Sequence, residues 1–264
     1  MVRVLSGAVL IAFAVTVVWL APPALFFVVS QLVLVLGVWE YVSLSRAGGI
    51  DLPAWAAGLA AVVTSASVAV GGGGSTHVAA ALLGVLVVLG AVTLMRWKGG
   101  SDALAAASAL MFPSVYLGLP IGALVAIRQR QGATGLFLVM LTIIISDTAQ
   151  YYTGRVLGRR PLAPRISPKK TLEGALGGFL FGAVAFAAIG ARWWTSPPPV
   201  GVRLGLGLLI VAAGIAGDLF ESMLKRSAGV KDSSSLIPGH GGILDRIDAL
   251  LFAAPVYFLA TVYL

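Results

Sequence analysis

The chain has 264 residues, of which 59% are hydrophobic and only 11% charged, and its mean hydropathy is +0.99. A soluble domain carries about a quarter charged residues, so this composition excludes a water-facing globule and makes the bilayer the solvent for most of the chain. The net charge of +8 then speaks for loop orientation and anionic headgroups rather than nucleic acid, and the absence of cysteine excludes disulfides, thiolate metal sites and cysteine nucleophiles.

About nine apolar runs of bilayer length are predicted, near 4–20, 24–39, 54–70, 78–95, 104–127, 135–151, 175–191, 203–220 and 249–263. The first follows Arg3 like a signal peptide, but "APPALFF" is a poor cleavage site and leads into more apolar sequence, so a retained helix is expected. "GGGGSTH", with His77, reads as a flexible outward connection. The fifth run contains Pro113 and Pro120 and should be kinked or broken. The sixth ends in "IIISDTAQYYTGR", with Asp147 about a turn inside its end. A polar segment, 152–174, separates it from the glycine-spaced seventh. The eighth carries Asp218, a second polar segment spans 221–248, and Asp245 and Asp248 open the ninth.

With the N-terminus in the cytoplasm, fourteen basic residues face inward: Arg3, Arg46, Arg96, Lys98, six between 155 and 170, Lys225, Arg226, Lys231 and Arg246. Only Arg128, Arg130, Arg192 and Arg203 face outward. The expected fold is therefore an all-α polytopic membrane protein with a cytoplasmic N-terminus and both polar segments on the cytoplasmic side. Without an internal repeat, 1–130 reads as an N-terminal helical part and 131–264 as the part bearing the polar loops, together forming one structural unit.

The chain has ten acids, and five of them (Asp218, Glu221, Asp232, Asp245 and Asp248) fall within 31 residues beside four bases. Intramembrane carboxylates are costly and mark function by default. Asp218, Glu221, Ser222 and Lys225 share one helical stripe, as do Asp245 and Asp248. Oxygen donors of this kind suit Mg²⁺. Upstream, "GRRPLAPRISPKKTLEGALGG" offers Arg155, Arg159, Arg160, Arg165, Lys169 and Lys170, then Thr171 and Glu173 at a helix start, a natural seat for phosphate. "PGHGG" at 238–242 makes a turn whose Gly239, Gly241 and Gly242 amides can approach phosphate, with His240 as a phosphate ligand or proton shuttle.

The stretch "SMLKRSAGVKDSSSLIPGHGGILDRID", residues 222–248, closely resembles the diagnostic segment of the phosphatidate cytidylyltransferases, and "SDTAQYYTGR" and "SPKKTLEGALGG" resemble that family's other polar segments. The resemblance is strong over 146–250 and compositional before residue 130. It implies a membrane enzyme that joins CTP to phosphatidic acid, forming CDP-diacylglycerol and pyrophosphate. It further implies a Mg²⁺ requirement, with a second ion such as K⁺ left open, and a homodimeric assembly in a cell inner membrane whose active site faces the cytoplasm. Carried over, the metal-binding acids are Asp218 and Asp245, with Asp147, Asp232 and Asp248 as second candidates. Lys169, Lys170, Lys225, Arg226 and Lys231 would form the anion cradle, and Arg155, Thr171, Glu173, Glu221, Ser222, Asp232 and Arg246 would complete substrate binding.

Two rival readings are an ion-coupled secondary transporter and another CTP-dependent lipid phosphotransferase. The first would show repeats and acids near the midplane. A CDP-alcohol phosphotransferase, the nearest of the second kind, would show an Asp-Gly-x-x-Ala-Arg pattern that this chain lacks.

Overall fold

The structure is a computed structural model that describes residues 2–71, 75–194 and 196–263. Gly72–Gly74 of the glycine-rich connection therefore lie outside the described residues. The described helices are α1 (Val2–Leu20), α2 (Pro23–Ala47), α3 (Ala54–Val70), α4 (Ser75–Arg96), α5 (Ala103–Pro113), α6 (Leu119–Leu157), α7 (Leu172–Trp193), α8 (Val200–Ser227) and α9 (Leu244–Tyr263). A π-helical turn, Ser114–Gly118, joins α5 to α6, where the two prolines predicted a break.

Among the described residues, five helical stretches are long and apolar enough to cross a membrane: Pro23–Ala47, Thr76–Arg96, Ala103–Leu157, Leu172–Trp193 and Val200–Ser227. The third, 55 residues long, would extend about 80 Å as a straight helix, well over twice a bilayer core of about 30 Å. The π-helical turn interrupts it, and so does Gly132, whose φ of 71° and ψ of −168° suit glycine alone. Large apolar side chains such as Leu83, Val87, Leu104 and Leu176 stand exposed, as expected of a surface solvated by lipid.

Helices outlast apolar runs at the polar ends. α6 continues to Leu157 and α8 to Ser227, so Asp147 and Asp218 lie two to three turns before their helix ends rather than one. Hydropathy marks where lipid contact stops, whereas the backbone hydrogen-bond ladder carries on through Gln150, Arg155 and Lys225. The all-α expectation also needs one addition: β1 (Pro161–Ala163) and β2 (Ser167–Thr171) form an antiparallel hairpin within the segment read as a loop.

The chain forms two compact units, one comprising Met1–Arg130 and Leu224–Arg246, the other Gln131–Met223 and Ile247–Leu264. In the first, α3 packs through Ala57, Ala61 and Ser65 against the π-helical turn and early α6. A methyl added at Gly118 would lie 2.8 Å from the Ala61 carbonyl, and one at Gly122 2.7 Å from that of Ser65. Small residues permit this backbone approach, the usual basis of helix association in membranes. Pro23 starts α2 at a position where its missing N–H costs nothing. Arg128 donates to the Val18 carbonyl near the end of α1 at 2.8 Å, satisfying an acceptor the helix leaves open.

In the second unit, Ala175 of α7 and Val211 and Ile215 of α8 form a core extended by Leu162, Phe179 and Leu219. Tyr257 of α9 is fully buried, edge-on to Phe186, and donates to Gln131.

Candidate active site

In the second unit, α6 and α7 meet almost main chain to main chain. A methyl at Gly174 would sit 2.8 Å from the Gln150 carbonyl, and one at Gly178 3.0 Å from the Ser146 hydroxyl. This contact sets the α6 residues Asp147, Gln150 and Arg155 beside the start of α7. We expect Gly174→Val to cost about 1–3 kcal/mol by overpacking and to lower melting temperature and activity together. Lipid-facing Leu176→Ala should change neither, as thermal unfolding in nanodiscs would check.

The hairpin ends at Thr171, which caps α7 by accepting from the Gly174 amide at 3.1 Å. Glu173 reaches back to accept from the amides of Arg159 (3.0 Å) and Arg160 (3.2 Å), and the Leu172 amide donates to the Arg160 carbonyl at 2.9 Å. Glu173, read from sequence as a substrate contact, thus holds the turn before the hairpin, and two of the first α7 amides are engaged within the protein. The result is a cavity of about 410 Å³ whose lining includes Asp147, Arg155, Lys169, Lys170, Thr171 and Asp218.

Two acids and three bases share this cavity. Lys170 pairs with Asp218, both about a quarter exposed, and Ser222 donates to Asp218 at 3.4 Å. Gln150 donates to Asp147 at 2.9 Å. Among the described residues no three His, Asp or Glu side chains converge on one point. Mg²⁺ takes one or two carboxylates and completes its shell with water and substrate phosphate. The donor type and number of Asp147 and Asp218 therefore fit a phosphate-bound Mg²⁺, and the neighbouring lysines and arginine fit the phosphates.

The first unit holds a second polar group. Lys225 of α8 pairs with Asp245 of α9, both less than a tenth exposed. The other Asp245 oxygen accepts from the Ser233 amide (2.9 Å), the Ser233 hydroxyl (2.8 Å) and the Gly242 amide (2.8 Å). Burial alone would raise the Asp245 carboxyl, but hydrogen bonds from Lys225, Gly242 and Ser233, together with the Lys225 charge, hold it below the ordinary carboxylate value. The structure thus gives both oxygens of this acid protein partners.

The "PGHGG" segment closes as a β-turn, with the His240 amide donating to the Ile237 carbonyl (2.9 Å) and the Ile237 amide to that of Gly241 (2.8 Å). Gly239 (φ 77°) and Gly241 (φ 76°) supply the left-handed backbone, and Pro238 precedes Gly239 as in type II turns. His240 Nδ1 lies 2.9 Å from the Ser6 hydroxyl of α1, which also reaches the Pro238 carbonyl at 3.1 Å. With the Ser6 proton given to that carbonyl, its contact with Nδ1 calls for a ring N–H donor there. Lys231, Asp232, His240 and Arg246 line one cavity of about 390 Å³.

The remaining sequence candidates are placed differently. Arg226 donates to the Val230 carbonyl at 2.9 Å, closing the end of α8, Glu221 is fully buried, and Asp248 accepts from the adjacent Ala249 amide. Sequence reasoning missed Glu40 of α2, which is fully buried and accepts from the Ser233 hydroxyl (2.9 Å), the Ser234 hydroxyl (2.7 Å) and the amides of Ile243 and Leu244 (both 2.8 Å). The signal was present: Glu40 is an acid at the end of an otherwise apolar second run.

Comparison with known proteins adds an independent finding. A model of the Cytidylyltransferase family matches residues 1–264. The chain is 40% identical over 151 residues to a phosphatidate cytidylyltransferase of Aquifex aeolicus, covering 57% of this chain and 54% of that protein. It is 38% identical over 183 residues to the Thermotoga maritima protein of the same name, 67% of each. With that of Pseudomonas aeruginosa it is 33% identical over 264 residues, 97% of this chain and 94% of the other. The chain thus spans about half the length of the Aquifex relative and nearly all of the Pseudomonas one.

Proposed function

The chain belongs to the cytidylyltransferase family, and from that premise we propose that it transfers the cytidylyl group of CTP to phosphatidic acid, releasing pyrophosphate and forming CDP-diacylglycerol. We place the reaction at the cytoplasmic boundary of a cell inner membrane, in a protein of about nine spans that works as a homodimer. The observation that carries the reading is the cavity in which Asp147 and Asp218 stand among Arg155, Lys169 and Lys170. A cavity with both signs of charge suits a polyanion that arrives with a divalent cation.

The chemistry asks little covalent participation of the protein. A phosphate oxygen of the lipid forms the new bond to the α-phosphorus of CTP. The bond from that phosphorus to the bridging oxygen breaks in line, and its electron pair leaves with pyrophosphate. Both reactants are anions, so the protein's task is alignment and charge neutralisation. Mg²⁺ bound by Asp147 and Asp218 would supply Lewis-acid stabilisation of charge on the phosphate oxygens. Lys169, Lys170 and Arg155 bind and orient phosphates, and Lys170 also holds the Asp218 carboxylate in place. Within its own unit, a separate cavity lined by Lys231, His240 and Arg246 carries anion-binding groups, with Asp245 anchoring the loop that bears them. The lipid phosphate is ionised at neutral pH, so no strong general base is needed.

The test is direct. Purified protein in nanodiscs should convert radiolabelled CTP and phosphatidic acid to CDP-diacylglycerol, should lose at least a hundredfold of its rate in chelator, and should regain it with Mg²⁺. Turnover undiminished by chelator would remove the metal. No product from phosphatidic acid, but product from another lipid acceptor, would replace the substrate.

A further inference from the structure

We propose that Glu40 is a positioning residue for the 231–246 loop, acting from α2 on a loop almost 200 residues away; its catalytic consequence rests on the function proposed above. Glu40 is wholly buried, and its two oxygens receive four donors that bracket the loop. The Ser233 and Ser234 hydroxyls lie at one end, and the Ile243 and Leu244 amides at the other. Between them runs the stretch that carries His240 and the glycine turn, and Lys231 and Arg246 flank it. One carboxylate therefore ties together the two ends of a loop that otherwise contains little regular structure.

The tie extends one step further. The Ser233 hydroxyl lies within hydrogen-bonding distance of Glu40 (2.9 Å) and of Asp245 (2.8 Å), so one hydroxyl, with a single proton to give to either, stands between the two acids. Gly242 closes the space. A methyl there would collide with both the Glu40 carboxylate and the Ser233 hydroxyl. Glycine at 242 is thus required by the presence of Glu40 and Ser233. The Ile243 and Leu244 amides stand at the start of α9, where a helix has no carbonyls of its own to offer them. Glu40 does for this helix what a capping side chain does elsewhere, but it comes from a different element.

A glutamine at 40 keeps the shape and loses the function, because its NH₂ would face donors it cannot accept from. Glu40→Gln should insert normally. Hydrogen exchange at the Ile243 and Leu244 amides should rise tenfold or more over the full-length wild type, with α3 and α7 unchanged. Turnover of CTP and phosphatidic acid should fall at least tenfold in kcat/KM. Glu40→Asp, which keeps both oxygens one methylene short, should recover part of both losses. Unchanged exchange in Glu40→Gln overturns the proposal, as does faster exchange with full turnover. If Glu40→Gln fails to fold, Ser234→Ala is the second variant. It should show the same pattern at smaller scale, and normal exchange there also overturns the proposal. A wild type with no activity on these substrates would sink the proposed function instead, while the exchange data would still decide the role of Glu40.

Discussion

Asp218→Asn should abolish cytidylyl transfer, by about a thousandfold or more, while leaving the protein inserted and folded. A loss of that size corresponds to about 4 kcal/mol of transition-state stabilisation, the cost that follows from the proposal that this carboxylate holds a metal, beside its pairing with Lys170. Stability should suffer less, because the Lys170–Asp218 pair is about a quarter exposed on each side and water can take over part of the lysine's solvation. Asp245→Asn offers the contrast. Its oxygens hold Lys225, Ser233 and Gly242 in a nearly dry setting, so the substitution should lower melting temperature as well as rate. Radiometric initial rates across a Mg²⁺ titration, beside thermal unfolding, separate the two. An Asp218→Asn protein within tenfold of the wild-type rate would remove the assignment of Asp218 to the metal.

Gly242→Ala should be the most damaging single-methyl change in the 231–246 loop. The new carbon has no room beside Glu40 and Ser233. Overpacking of this kind costs about 1–3 kcal/mol, and displacing a buried hydrogen-bonded acid adds to it. We expect a clear fall in melting temperature and about a hundredfold loss of activity. Gly239→Ala makes a useful comparison. Its φ of 77° puts an L side chain under backbone strain of about 1–2 kcal/mol. If Gly239→Ala proved the worse of the two, the crowding around Glu40 would not be what constrains the loop.

Much of this was legible from the chain. A helical membrane protein follows from unbroken apolar runs, because lipid leaves the backbone no partner but itself. The acids and bases of α6, β2 and α8 that share one cavity stood out for a related reason: charges are rare in such a chain. Other features were not. Glu173 has the look of a substrate contact until the hairpin folds the 159–160 amides onto it, a pairing across the β1–β2 hairpin between positions 14 apart. Glu40 was passed over because its partners lie 193 and more residues away, at a distance no local pattern spans. Helix ends are not legible from hydropathy, because α6 and α8 run on to Leu157 and Ser227, past the end of their apolar runs.

The seam between α6 and α7 has one more consequence. At Gly174 an added methyl would lie 2.8 Å from the Gln150 carbonyl and 3.3 Å from the Gly154 Cα, so the spacing between Asp147 and the Thr171 cap has little room to change. Change in the outline of the cavity is then left to the hairpin, which brings Lys169, Lys170 and Thr171 to its lining.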